Sequence, residues 1–268
     1  MGPLGDGSVS IKLLWRLNPA VKLLGVVLVA LAMTFVFDPA TPAVLFVIVL
    51  LVGRYLGDLP VWHQIKPLLV FFIAGVAILL ANILFNKDNA AADALMWIGP
   101  MKITGPALWA AGSLWLRLML FALLSLVFVR TTPPQYLILS LIHQLRLNHR
   151  VAYGTMVGYR MLPLLQSDYH TIRAAQRVRG VREGRGPVHA WRRLRRYSIP
   201  LLAGSVRKAG RVAVAMDARA FGAFPDRTYR ERMVVRPADW VFVAVAVAVV
   251  AAVVVGFWAL GIVRFTIT

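Results

Sequence analysis

Two arginine segments carry most of the chemistry this sequence can offer. One runs Ala174-Ala175-Gln176-Arg177-Val178-Arg179-Gly180, the other Ala215-Met216-Asp217-Ala218-Arg219-Ala220-Phe221-Gly222. Each sets an arginine near the end of a helix-forming stretch, with a glycine shortly after it. A guanidinium is a planar fork of N–H donors that matches carboxylates and the free carbonyls of helix ends. Offered from a helix terminus, it is well placed to meet another protein. Two such arginines suggest a partner with two equivalent sites.

Other chemistries lack their residues. There is no G-x-x-x-x-G-K-[ST] loop, so ATP is not held in that manner. The glycines from Gly180 to Gly186 enclose no lysine and follow no strand, which makes them a turn. No H-E-x-x-H motif occurs, the histidines are scattered, and His143 and His149 are poorly spaced for one helical face. Cysteine is absent, which removes disulfides, thiolate catalysis and cysteine metal sites. No metal and no cofactor is expected. Asn82 and Arg117 are the main polar residues inside apolar runs, and no row of carboxylates forms a proton relay, which argues against a self-contained pump.

The elements that must position the two arginines follow from composition. The chain is 59% hydrophobic yet carries a net charge of +19, a combination that implies a membrane protein with a substantial basic portion. A bilayer span needs roughly 17–25 apolar residues. Five runs are candidates: Pro19 to Phe37, Ala43 to Leu56, Pro67 to Phe85, Gly105 to Val129 and Ala238 to Val263. The first is too long, and lacks the small-residue cleavage site, for a signal peptide. Asp38-Pro39-Ala40-Thr41-Pro42 is a turn between the first two. The expected class is thus an all-α integral membrane protein of about five transmembrane helices. Residues 1–130 hold four of them and residues 237–268 the last.

Residues 131–236 differ in character. The stretch Arg130 to Arg236 holds 21 of the 30 Lys and Arg residues but five of the 11 acids, so most of the net charge lies there. Basic segments next to membrane helices stay cytoplasmic. With four spans before it, the N-terminus is then cytoplasmic too. The stretch is too apolar and too periodic for a disordered tail, so long amphipathic helices are expected. Thr132 is the expected N-cap of the first, ahead of Pro133 and Pro134. A second should cover Val151 to Arg179, kinked near Pro163. A third should begin near Val188, break around Pro200 and continue to about Ala220. On this last helix Val206, Gly210, Ala213, Met216 and Ala220 share one face, where small residues would let a second helix approach closely. A crossed pair of long helices follows, with arginine-bearing ends set apart.

Two functions remain. In one, the chain is an interaction subunit of a transporter, whose basic helices dock on separate ATPase subunits while its apolar helices hold a membrane partner. In the other, it is a membrane-bound enzyme or scaffold acting on anionic lipid headgroups. That would need metal ligands or acid–base pairs near the interface, and none is visible. The cluster Arg192, Arg193, Arg195 and Arg196 suits anionic lipid. Nucleic acid is not an expected partner, because the charge is tied to the membrane surface.

Several stretches in order resemble the transmembrane T component of energy-coupling factor transporters, the group of biotin, cobalt and shared vitamin systems. Leu17-Asn18-Pro19-Ala20-Val21-Lys22 is similar to that family's entry into its first helix, and Arg130-Thr131-Thr132-Pro133 to the stretch ahead of its cytoplasmic helices. Arg160-Met161-Leu162-Pro163-Leu164-Leu165 resembles the approach to its first signature. Val178-Arg179-Gly180 and Ala218-Arg219-Ala220 resemble its two Ala-Arg-Gly signatures, with Val178 in place of Ala and Ala220 in place of Gly. The resemblance implies a non-catalytic coupling subunit in a prokaryotic plasma membrane. Its partners would be two cytoplasmic ABC ATPases and a small substrate-binding membrane subunit that takes up a vitamin or metal ion. It assigns ATPase docking to Arg179 and Arg219 with Val178, Gly180, Ala218 and Ala220. Gly210, Ala213, Met216 and Pro163 would serve helix packing.

Overall fold

The computed structural model describes residues 13–85, 94–98, 101–145, 149–181, 184, 186–221 and 233–260. They fall into two compact units, one of Met1–Ser140 with Met233–Thr268, the other of Leu141–Arg232.

The first unit is a bundle of apolar helices. Its elements are α1 (Leu13–Arg16), α2 (Pro19–Thr34), α3 (Ala40–Tyr55), α4 (Val61–Phe85), α5 (Gly105–Thr131), the start of α6 (Pro134–Leu145) and α9 (Pro237–Ala259). Local chemistry sets the helix starts. Asn18 caps α2 by accepting the Ala20 N–H, with Pro19 in the first turn. The Asp38 carboxylate accepts the Thr41 N–H at 2.7 Å and so starts α3. Thr104 caps α5 in the same way through the Ala107 N–H.

The core forms around α5. Leu120 and Leu124 pack with Val29, Met33, Leu45 and Val250, while Ala122, Leu123 and Val127 pack with Leu14, Leu17 and Leu68. Adjoining stripes of one helix, Leu120 with Leu124 and Leu123 with Val127, thus serve both clusters. Gly75 lets α4 lie close to α5, since a Cβ there would meet Trp115 Cδ1 at 2.7 Å. Along a full turn of α4, Leu69, Val70, Phe71, Phe72 and Ile73 keep much of their apolar surface exposed, as a helix in lipid does.

Among the described residues, three helices are long and apolar enough to cross a membrane: Val61–Ile83, Ala107–Thr131 and Pro237–Ala259. The two remaining expected spans appear as α2 and α3, each of 16 residues. At 1.5 Å per residue they reach about 24 Å, short of the ~30 Å hydrocarbon core. Among the described residues one feature departs from an all-helical architecture. Strands β1 (Ala94–Ile98) and β2 (Met101–Thr104) form an antiparallel hairpin, with Ile98 opposite Met101.

The second unit contains the rest of α6, then α7 (His149–Val178) and α8 (Pro187–Asp217). α7 runs through Pro163, and α8 runs through Pro200 rather than breaking there. A proline deprives a helix of one N–H bond, which the long flanking turns tolerate.

Candidate functional site

Both arginine segments lie in the second unit, where α7 and α8 form an antiparallel pair. Three contacts establish the direction. Tyr169 meets Tyr197 edge to face at 5.7 Å, Asp168 bonds Lys208 at 2.5 Å, and Tyr153 lies against Phe221 at 4.9 Å. Residues later in α8 therefore meet residues earlier in α7. Tyr197 is buried, whereas the Asp168–Lys208 pair is nearly one-third exposed, so the pair contributes no more than ~1 kcal/mol.

Antiparallel pairing separates the two arginines. Arg179 follows the end of α7, beside the start of α8, and Arg219 follows the end of α8. A 31-residue helix spans roughly 46 Å, so about that distance lies between them. The structure therefore does not gather the two arginines expected to dock into one patch; it makes two.

The two patches share one backbone design. At the first, the Gly180 N–H donates to Arg177 O and the Val181 N–H to Gln176 O, at 3.0 and 3.1 Å. At the second, the Ala220 N–H donates to Asp217 O and the Phe221 N–H to Met216 O, at 2.9 and 3.1 Å. Each is a Schellman ending, in which a left-handed residue turns the chain back over the last carbonyls. The left-handed residues are Gly180, with φ 75°, and Ala220, with φ 52°. Each arginine is thus the last residue before the reversal, at the negative end of a helix dipole, and each is exposed. Val178 is 90% exposed, and Ala218 is exposed as well. Gly222 lies outside the described residues.

The residues expected to serve helix packing differ in exposure. Gly210, Ala213 and Pro163 are exposed, and only Met216 is half-buried. The half-buried stripe of α8 is instead Leu201, Gly204, Ser205, Lys208 and Val212, of which Lys208 bonds Asp168 of α7. A Cβ at Gly210 would meet nothing within 4 Å, so that face has no partner helix among the described residues.

A cavity of about 310 Å³ opens near the Arg179 end, lined by Val181, His189, Arg192, Arg193, Arg196 and Tyr197 among others. Three members of the expected lipid cluster border it and Arg195 does not. Among the described residues, no group of three His, Asp or Glu side chains could hold a metal ion.

Sequence reasoning overlooked a second polar locus, in the first unit. The Thr132 hydroxyl does not cap α6; Pro133 O receives the first bonds of that helix, from Tyr136 and Leu137. Thr132 instead accepts a bond from Lys22 Nζ at 3.0 Å. The signal available was a lysine set in an apolar run, four residues after Asn18.

Residues 11–230 match the family model CbiQ, described as cobalt transport protein. The chain is 30% identical over 250 residues to the energy-coupling factor transporter transmembrane protein EcfT of Limosilactobacillus fermentum, covering 88% of this chain and 90% of that one. It is 28% identical to the protein of the same name from Thermotoga maritima, covering 90% and 89%. A putative ABC transporter ATP-binding protein of Bifidobacterium longum is 27% identical over 89% of this chain, but that match takes up 31% of its own length.

Proposed function

The chain belongs to the CbiQ family of cobalt transport proteins and is the transmembrane T component of an energy-coupling factor transporter, and on that premise we propose how it couples its partners. It carries ATP-driven motion from two cytoplasmic ABC ATPases to a small substrate-binding membrane subunit, which releases a vitamin or metal ion inside. Arg179 docks on one ATPase and Arg219 on the other. Val178, Gly180, Ala218 and Ala220 shape the two helix ends. ATP hydrolysis belongs to the partners, since this sequence has no phosphate-binding loop of that kind.

The observation that supports this reading is the matched pair of helix ends. Two exposed arginines sit on equivalent turns, roughly one long helix apart. Two similar ATPases would present two equivalent grooves. The Bifidobacterium longum relative adds support, because a protein named for ATP binding contains a segment like this chain. Membrane topology follows the charge pattern, with five spans, a cytoplasmic N-terminus and residues 131–236 on the cytoplasmic side. The exposed Gly210 and Ala213 leave α8 open to close approach by another helix, and the Arg192 to Arg196 cluster faces anionic lipid. Action on lipid headgroups finds no support in the relatives, which are named as transporter proteins.

The test is replacement of both arginines, Arg179→Ala with Arg219→Ala. ATPase copurification should be lost and uptake should fall by about a hundredfold, as two charge-assisted contacts of ~1.5 kcal/mol each disappear. Normal assembly and uptake in the double variant would sink the docking assignment.

A further inference from the structure

Within the first unit, α5 gives way to α6 at Thr132 and α9 begins after Arg236, and the second unit, Leu141–Arg232, is inserted between these two corners. Both points are fastened to the same short stretch of α2. At the exit, Lys22 Nζ donates to Thr131 O, Thr131 Oγ1 and Thr132 Oγ1, at 3.1, 3.1 and 3.0 Å. Lysine has three N–H donors, and all three are taken. The Thr131 hydroxyl donates its own hydrogen to Val127 O at 2.7 Å, which turns its lone pairs toward Lys22. At the return, the Asp239 carboxylate accepts the Arg236 N–H at 2.7 Å and the Asn18 N–H at 2.9 Å. Asn18 and Lys22 are joined directly, because the Lys22 N–H donates to Asn18 O at 3.0 Å.

The five residues Asn18, Lys22, Thr131, Thr132 and Asp239 are each no more than 5% exposed. Burying ionic groups is costly, and apolar residues would fill the same space more cheaply. Here Lys22 sits at the C-terminal end of α5 and Asp239 in the first turn of α9, so each charge meets the favourable end of a helix dipole. The groups therefore tolerate burial without pairing with each other. Each joins a different corner of the first unit to α2, one before the inserted unit in sequence and one after it.

We infer that Lys22 and Asp239 are positioning residues of a single clamp, which makes the end of α5 (the exit) and the start of α9 (the return), the two corners that flank the inserted unit in sequence, move with the start of α2. Displacement of that unit is then handed to the bundle at one place rather than absorbed by two independent hinges. The consequence for transport rests on the coupling role proposed above. The mechanical claim does not.

The experiment uses the full chain in its transporter complex. Amide hydrogen exchange is followed at the exit, residues 127–137, and the return, residues 236–243, in Lys22→Met and in Asp239→Asn. Lys22→Met should speed exchange at the return as well as at its own corner, and Asp239→Asn should speed it at the exit. Substrate moved per ATP hydrolysed should fall by roughly tenfold in both, within the usual size of a coupling free energy. Acceleration confined to each variant's own corner would overturn the clamp. If Lys22→Met does not fold, Thr132→Val removes a single acceptor and is judged by the same cross-effect. If the unaltered chain fails to recover ATPases, the transport assignment fails, and the same exchange comparison repeated on the full-length chain without partners still decides the clamp.

Discussion

The ends of α7 and α8 carry the same hydrogen bonds but reach them with different residues. Gly180 enters the left-handed region without a steric cost, whereas Ala220 places a Cβ against its own carbonyl there. That penalty is about 1 kcal/mol. The second end has a compensating contact in Phe221, whose ring lies 4.9 Å from Tyr153. The first end has Val181 at the matching position, at the edge of a cavity bordered by arginines. The turn geometry, and with it the placement of the arginine, is therefore reached at one end by backbone freedom and at the other with help from packing. Two signatures of unequal sequence present equal side chains.

If the ends are equivalent in function, Arg179→Ala and Arg219→Ala taken singly should each lower uptake by about tenfold, the loss of one charge-assisted contact. A large effect from one and none from the other, in transport assays of the assembled complex, would break the equivalence. Packing at the second end can be removed by Phe221→Ala. Losing the ring contact and its buried area should destabilise that end by ~1 kcal/mol or more and raise amide exchange near Arg219 but not near Arg179. The smallest effects come from exchanging the left-handed residues. Gly180→Ala should cost about 1 kcal/mol and Ala220→Gly should gain somewhat less, because glycine also loses more freedom on folding. Thermal unfolding of the two variants gives the sign, and shifts in the same direction would contradict the proposed difference.

Much of the architecture was legible in the sequence because it is written locally. Apolar runs located α4, α5 and α9, and the periodic basic stretch located α7 and α8. The failures have local causes too. Thr132 lies ahead of two prolines and so looks like a cap, but its hydroxyl is taken by a lysine 110 residues away. Pro200 looks like a helix break, yet α8 is long enough to carry the lost bond. Ala94-Leu95-Met96-Trp97-Ile98 has no alternation of polar and apolar residues, so β1 gave no strand period, although a Gly-Pro dipeptide follows it in the sequence, a composition that favours turns. Gly210 and Ala213 do share a face, but small size alone did not say which face α7 would take.

The sequence by itself determined the membrane character, the long basic helices and the position of each arginine at a helix end, since hydrophobic runs, helical period and end-capping depend on neighbours a few residues away. Tertiary structure decided the rest. Antiparallel pairing of α7 with α8 set the two arginines a helix length apart. The clamp joins Lys22 to Thr131 across 109 residues and Asn18 to Asp239 across 221. No local pattern announces such bonds, because their partners become neighbours only once apolar burial has brought the helices together and removed water as the competing partner.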